Sequence, residues 1–461
     1  MESQVQVVKK ENSANTNLHR IGLVMLLLAI LIAPAFIANV SFGVTQPVFG
    51  SPINLSNDAR IAKNPNIQNV GSHIYVAWAE QSAGILFRAS PDGGSTWSPP
   101  VSSLGLRLSP AGGVASAPLI SANGTHVYVV WAQTVNKISQ VFFAASSNFG
   151  ASFSAAVQLT KGTSGANTAV IASWGTTVYV AYDNISTSQS WVMASANAGV
   201  TWTKPFEFGI FHEPQLAAWH SNGYVVSNQG LSTTHNKGAT WTNETIPGGN
   251  TSGLPSTMSE SWIAAWGTNV YAFWETKGDV CSTCSKVNYT ISHDSGNTWT
   301  REATLSTTLT DSWAPMVAAF GTKVWVADHT FPGGSKSQVY IYTSTNRGNS
   351  FGAPKSLSGQ SGDTSFPFTV ATSDGNNVFV AWSDETNTSP QTWVLRVSYS
   401  GDGGTTWTPA PGINVSQNPT GTNATDNADL ADGAISSLGT HCYAVWQYIN
   451  GATSQIYFSS S

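Results

Sequence analysis

Charge is what this 461-residue chain has least of: Asp, Glu, Lys and Arg together make up 9% of it, against about 25% in an ordinary soluble domain. Nineteen basic and 24 acidic residues leave a net charge of −5. With no basic stripe anywhere, a nucleic-acid partner is excluded. Only three cysteines occur. Cys281-Ser-Thr-Cys284 reads as a local disulfide pinning one loop in an oxidising compartment. A zinc site would need two more soft ligands, and no second Cys pair exists, so no metal centre is expected. Cys442 lies in an apolar run and reads as a small buried hydrophobe. Long hydrophobic runs are equally scarce. The one example, Ile21 to Ala38, comes after a short basic tail over residues 1–20 that carries Lys9, Lys10 and Arg20. It is either a secretory signal or an uncleaved signal-anchor helix, since its length just spans a bilayer. Both readings export the rest of the chain, to the extracellular space or to the cell surface, with residues 39–50 as a linker.

The chain is filled instead by Ser, Thr, Asn, Gly and aromatic residues arranged in a repeat. Seven near-copies of one turn occur: SPDGGSTW from Ser90, SSNFGASF from Ser146, SANAGVTW from Ser195, THNKGATW from Thr234, SHDSGNTW from Ser292, STNRGNSF from Ser344 and SGDGGTTW from Ser400. A unit recurring every 40 to 60 residues or so cannot bury its own apolar face and must stack on a neighbour, which implies a propeller or solenoid. Each copy has the composition of a tight turn: a hydroxyl, an acceptor side chain, a Gly free to take positive φ and a closing aromatic plug. The acceptor is Asp92, Asp294 or Asp402 in three copies and Asn148, Asn197, Asn236 or Asn346 in four. An amide can cap a turn but cannot act as acid or base, so all seven read as structural.

The strands around each turn repeat too. A β-branched and aromatic run precedes it, as in IYVAW to Trp78, VYVVW to Trp131 and VFVAW to Trp382, and such continuous runs suit strands covered on both faces. A weaker strand lies upstream, often opened by Pro. Each unit therefore reads as strands a, b, c and d, with the repeat turn between c and d. Counting strand b gives eight units where counting turns gives seven, because the chain stops at Ser461 where an eighth turn would begin. The missing outer strand is expected from Ser51 to Ser56, which would pair with Gln455 to Ser459 and seal the ring. The expected fold class is all-β: a β-propeller of four-stranded antiparallel blades over residues 51–461. Eight blades are expected, with seven as the alternative because the fourth unit, Glu213 to Pro247, is short.

The turn Ser-x-Asp/Asn-x-Gly-x-Thr-Trp resembles the Asp-box (BNR) repeat of the sialidase-like propellers. That resemblance implies chemistry on the end of the propeller away from the repeat turns, where the b-to-c loops and the starts of strand a meet. The scarce acids gather there. Glu80, Asp183, Glu275, Asp328 and Asp384 follow strand b, while Glu213, Glu260 and Asp311 precede strand a with Trp262 and Trp313 beside them. Carboxylates and rings around a funnel suit a sugar, and Ca²⁺ is the one cofactor such ligands would admit. The family clamps a sugar carboxylate with three arginines, one in an Arg-Ile-Pro motif; the matching position here is Lys63-Asn64-Pro65. Of the remaining arginines only Arg60 and Arg107 lie in connections toward that end, too few for the clamp. The function expected is therefore binding of a glycan or another surface polymer through Lys63, Asp183, Trp262, Trp313, Asp328 and Asp384. The alternative is a glycoside hydrolase drawing on Glu80, Glu213, Glu260, Glu275 and Asp311, with Tyr182 or Tyr448 as nucleophile.

Overall fold

In a computed structural model, the described residues are 46–210, 213–227, 230–247, 258–277, 285–306, 311–331, 336–359, 364–388, 391–417, 435–450 and 453–461. The basic tail, the apolar run, most of the linker and the Cys281–Cys284 pair lie outside them. The described residues form eight four-stranded antiparallel sheets and no helix. Blade 1 comprises strands a to d at Ala62–Val70, His73–Glu80, Gly84–Ser90 and Leu106–Arg107. Blades 2 to 7 repeat this order over 115–158, 166–210, 215–243, 258–304, 312–356 and 364–414. The short fourth unit forms a complete blade, Gln215–Trp219, Asn222–Ser227, Gly230–Thr234 and Thr242–Asn243, so the count is eight.

Blade 8 closes the ring. Its strands a to c are Ile435–Leu438, His441–Asn450 and Thr453–Ser460, and its outer strand is Ile53–Asn54 from the other end of the propeller sequence. Ile53 pairs with Phe458 and Asn54 with Tyr457. The Leu55 amide adds a 2.7 Å bond to the Ile456 carbonyl. Neither end of the sheet ring is then left as an open edge. Strand a of every blade contacts strand a of the next, and that of blade 8 contacts that of blade 1. These inner strands surround a central channel of about 220 Å³ lined by residues such as Leu119, Ile171, Trp262, Met316 and Ile435.

Strand b is buried on both faces, which its continuous apolar sequence requires. In blade 1, Tyr75, Ala77 and Phe87 pack on Val127 and Val129 of blade 2. The alternate residues Ile74, Val76 and Trp78 pack on Tyr443, Val445 and Phe458 of blade 8. Each fully buried aliphatic or aromatic side chain contributes about 1.5–3 kcal/mol.

The repeat turns show why Asp and Asn alternate freely. In blade 1 the Gly94 amide donates to Ser90 Oγ (2.8 Å), Ser90 donates to Asp92 Oδ1 (2.9 Å), and the Thr96 amide and hydroxyl donate to the two Asp92 oxygens (2.8 and 2.7 Å). In blade 2 the Ser152 amide donates to Asn148 Oδ1 (3.0 Å) while Asn148 Nδ2 donates outward to Ser152 Oγ (2.9 Å). The hydroxyl reverses its role and the spacing survives. The glycine is needed twice over. Gly199 has φ +87°, and a Cβ there would lie 2.1 Å from Phe143 of the preceding blade. The closing aromatic packs on that same neighbour, as Trp202 does edge-on to Phe143 at 5.0 Å.

Candidate functional site

Strand a begins with a kink in blade after blade. Its pairing with strand b slips at Lys63/Asn66, Ser116/Leu119, Asn167/Val170, Ser259/Trp262 and Trp313/Met316. The residues inside these slips hold positive φ: Asn64 (50°), Ala117 (48°), Thr168 (48°), Glu260 (45°) and Ala314 (50°), with Glu213 (36°) at the start of blade 4. Non-glycine residues pay for this conformation, and bulges that re-aim side chains gather at working ends of sheets. In four blades the next residue is Pro, namely Pro65, Pro118, Pro214 and Pro315.

The acids that end strand b lie inside the blades. Glu80, Asp183, Glu275, Asp328 and Asp384 are all buried, because strand b runs on through their positions instead of ending before them and both of its faces are covered. Several hold the fold together. Asp183 accepts from Ser190 Oγ (2.7 Å) and from the Glu213 amide (3.1 Å), tying blade 3 to the start of blade 4. Glu275 accepts from Ser285 Oγ at 2.5 Å, and the Ser285 amide donates to Asp311 Oδ1 at 3.0 Å. Asp384 forms an ion pair with Arg396 of the same blade. Burial pushes the Asp328 carboxyl up to about 7, against the hydroxyls of Ser312 and Tyr342 and the charge of Lys286. Tyr182 is buried in the core between blades 2 and 3, and burial raises its hydroxyl to about 12. Tyr448 packs edge-on to Tyr457 at 5.6 Å. Trp262 lines the central channel, and Trp313 packs against His329 (4.6 Å) and Phe331 (6.2 Å) in blade 6. Glu213 is exposed, while Glu260 and Asp311 are half-buried. Three groupings therefore emerge from the expected residues: Lys63 with Glu80, Asp183 with Glu213, and Glu275 with Asp311. His212, Asn228 and Asp432, which the pattern also places at this end, lie outside the described residues.

The first grouping opens onto a cleft of about 690 Å³ between blades 1 and 2. Lys63, the kinked Asn64, Glu80, Ser82, Arg107 and Ser116 are among its walls. Lys63 and Arg107 are exposed. Arg107 is braced by bonds to the Ser109 and Pro110 carbonyls, both 3.1 Å, and neither cation has a carboxylate partner among the described residues. Glu80 is the one carboxylate in the lining. Its Oε2 accepts from Trp78 Nε1 at 2.9 Å, while its buried Oε1 has no hydrogen-bond partner among the described residues. Burial pushes this carboxyl up to about 7, the Trp78 bond opposing, with Asp58 adding to the rise and Arg60 reducing it. At neutral pH and below it can donate a hydrogen bond as a neutral acid. The charges exposed at the cleft are thus cationic. Lys63 and Glu80 were legible as candidates; Arg107 was visible only as a connection, and Asn64 and Ser82 carried no signal beyond the Asn64-Pro65 step.

No family model matches the chain, and no curated protein matches it. Solved structures that align with it include a protein of unknown function from Dyadobacter fermentans, at 13% identity over 90% of this chain and 98% of that one, with a TM-score of 0.41. An ulvan lyase from a polysaccharide lyase family aligns at 10% identity over 88% and 95% of the two chains, TM-score 0.46. Trypanosoma rangeli sialidase with sialic acid aligns at 12% identity over 90% of this chain and 59% of its own length, TM-score 0.37. At these identities and scores the likeness says nothing about chemistry.

Proposed function

We propose that this chain is an exported Asp-box propeller of the sialidase-like kind that binds a glycan, taking a sugar unit in the cleft between blades 1 and 2. The observation that supports it is the convergence of exposed Lys63 and Arg107 with the buried, half-satisfied Glu80 on one cavity of about 690 Å³, a size that suits one or two sugar rings. Lys63 and Arg107 supply point and planar cationic contacts, and Ser82 and Asn64 supply hydroxyl and amide partners. Export, with or without anchoring by residues 21–38, brings the propeller to the surface polymers it would read. No cofactor is needed for this reading. Hydrolysis by two facing carboxylates finds less support, since Glu80 stands alone in the lining. A glycan array run beside a panel of fluorogenic glycosides tests both: array binding without turnover is the expected result, and turnover of any glycoside would replace binding by catalysis.

A further inference from the structure

The opposite end of the propeller carries a feature that the cleft does not use. Four consecutive blades finish strand a on a ring, namely Trp174, Trp219, Trp266 and Phe320, each the first flank of a two-residue hairpin. Successive ring centroids lie 4.7, 4.8 and 3.9 Å apart, so the rings form one half-exposed arc along the end of the inner strands. His220 stacks on its outer end, 4.5 Å from Trp174. The other four blades end strand a on Val70, Asn123, Thr372 and Leu438 and have no such arc.

Two exposed cations accompany the arc. The fourth residue of each repeat turn docks on the hairpin of its own blade: the Lys237 amide donates to the Ser221 carbonyl (2.9 Å) and the Arg347 amide to the Thr322 carbonyl (2.7 Å). Both side chains are exposed and neither has an ion-pair partner among the described residues. Asp92 sits in blade 1, away from the arc, whereas Asp374 and Asp402 sit in blade 7 beside its Phe320 end, where Lys323 reaches across to the Gly375 carbonyl (3.0 Å) and Asn376 Oδ1 (3.2 Å) and its charge faces Asp374. Asp294, in blade 5, has its oxygens engaged by Ser292 and Thr298. The hairpin tips, Gly175-Thr176, His220-Ser221, Gly267-Thr268 and Gly321-Thr322, are small or polar and follow the rings in sequence, so no apolar residue leads toward a bilayer. Two unpaired cations are too few for nucleic acid. They suit the anionic groups of an acidic polysaccharide, whose apolar sugar faces fit aromatic surface while hydroxyls meet the Thr, Ser and Asn of the hairpins.

We propose that this aromatic arc is a second binding surface, independent of the cleft, that takes an acidic polysaccharide along Trp174, Trp219, Trp266 and Phe320 with its anionic groups on Lys237 and Arg347. Titration of the exported propeller with polygalacturonate and with dextran sulfate distinguishes carboxylate from sulfate. Neutral dextran, phosphatidylcholine–phosphatidylserine vesicles and oligodeoxythymidine are the contrasting ligands. Binding to at least one acidic polysaccharide is expected, weakened at least about tenfold in Lys237→Ser/Arg347→Ser and at least about fivefold in Trp266→Leu at an unchanged melting temperature. Lys63→Ala/Arg107→Ala, which disables the cleft, should leave this binding in place. Failure to bind either acidic polymer, binding indifferent to Lys237 and Arg347, loss of binding with the cleft variant, or preference for vesicles or oligonucleotide would each overturn the proposal.

Discussion

Replacing Glu80 by Gln separates the burial of this carboxyl from its packing. Burial raises it from 4.5 to about 7, and a shift of that size corresponds to about 3 kcal/mol. The sign comes from proton counting. Between the two values the folded state holds a proton that the unfolded state has lost, so stability is full below pH 4.5, falls as pH rises and is fully reduced above about 7. Glutamine keeps the acceptor for Trp78 Nε1, as Gln133 already does for Trp131 in blade 2 at 3.2 Å, but cannot ionise. Urea denaturation of both proteins from pH 4.5 to 8.5 is the assay. Glu80→Gln should match the wild type at the acid end and exceed it by up to about 3 kcal/mol at the alkaline end. Parallel curves would refute the assignment of a buried, near-neutral Glu80.

Three other perturbations address the frame. Gly199→Ala, judged by thermal melting, should cost about 2–5 kcal/mol, combining left-handed strain with overpacking on Phe143; a neutral outcome would contradict the close approach of the turn to blade 2. Asp294→Asn should be nearly silent in the same assay, while Trp299→Ala, which empties a buried site between blades 4 and 5, should cost about 3–5 kcal/mol. Deleting residues 46–57 removes the outer strand of blade 8 and should lower the melting temperature substantially; an unchanged value would count against closure by Ile53–Asn54.

The blade count, the four-strand unit and the interchangeability of Asp92 with Asn148 were legible because a repeat prints its geometry in every copy. The direction in which the acids face was not. Glu80, Asp183 and Asp328 follow an apolar run, as loop residues also do, and only the continuation of strand b through them, to Glu80, Asn184 and Thr330, keeps them inside the blade. The cleft itself joins Lys63 from strand a to Arg107 from strand d, a meeting that depends on how adjacent connections fold over the blade. The kinks at Asn64, Ala117 and Ala314 left a trace in the X-Pro steps, yet a Pro opening a strand has the same appearance without a bulge. Trp174, Trp219, Trp266 and Phe320 were visible as residues, but their mutual contact required the ring of blades.

The central claim is that the cleft between blades 1 and 2 holds a saccharide. Its most direct measurement is isothermal titration of the glycan identified on the array into the wild-type propeller and into Lys63→Ala/Arg107→Ala. Saturable binding to the wild type is predicted, with at least about a tenfold loss in the variant and the melting temperature retained because both side chains are exposed. Equal affinity in the two proteins would contradict it.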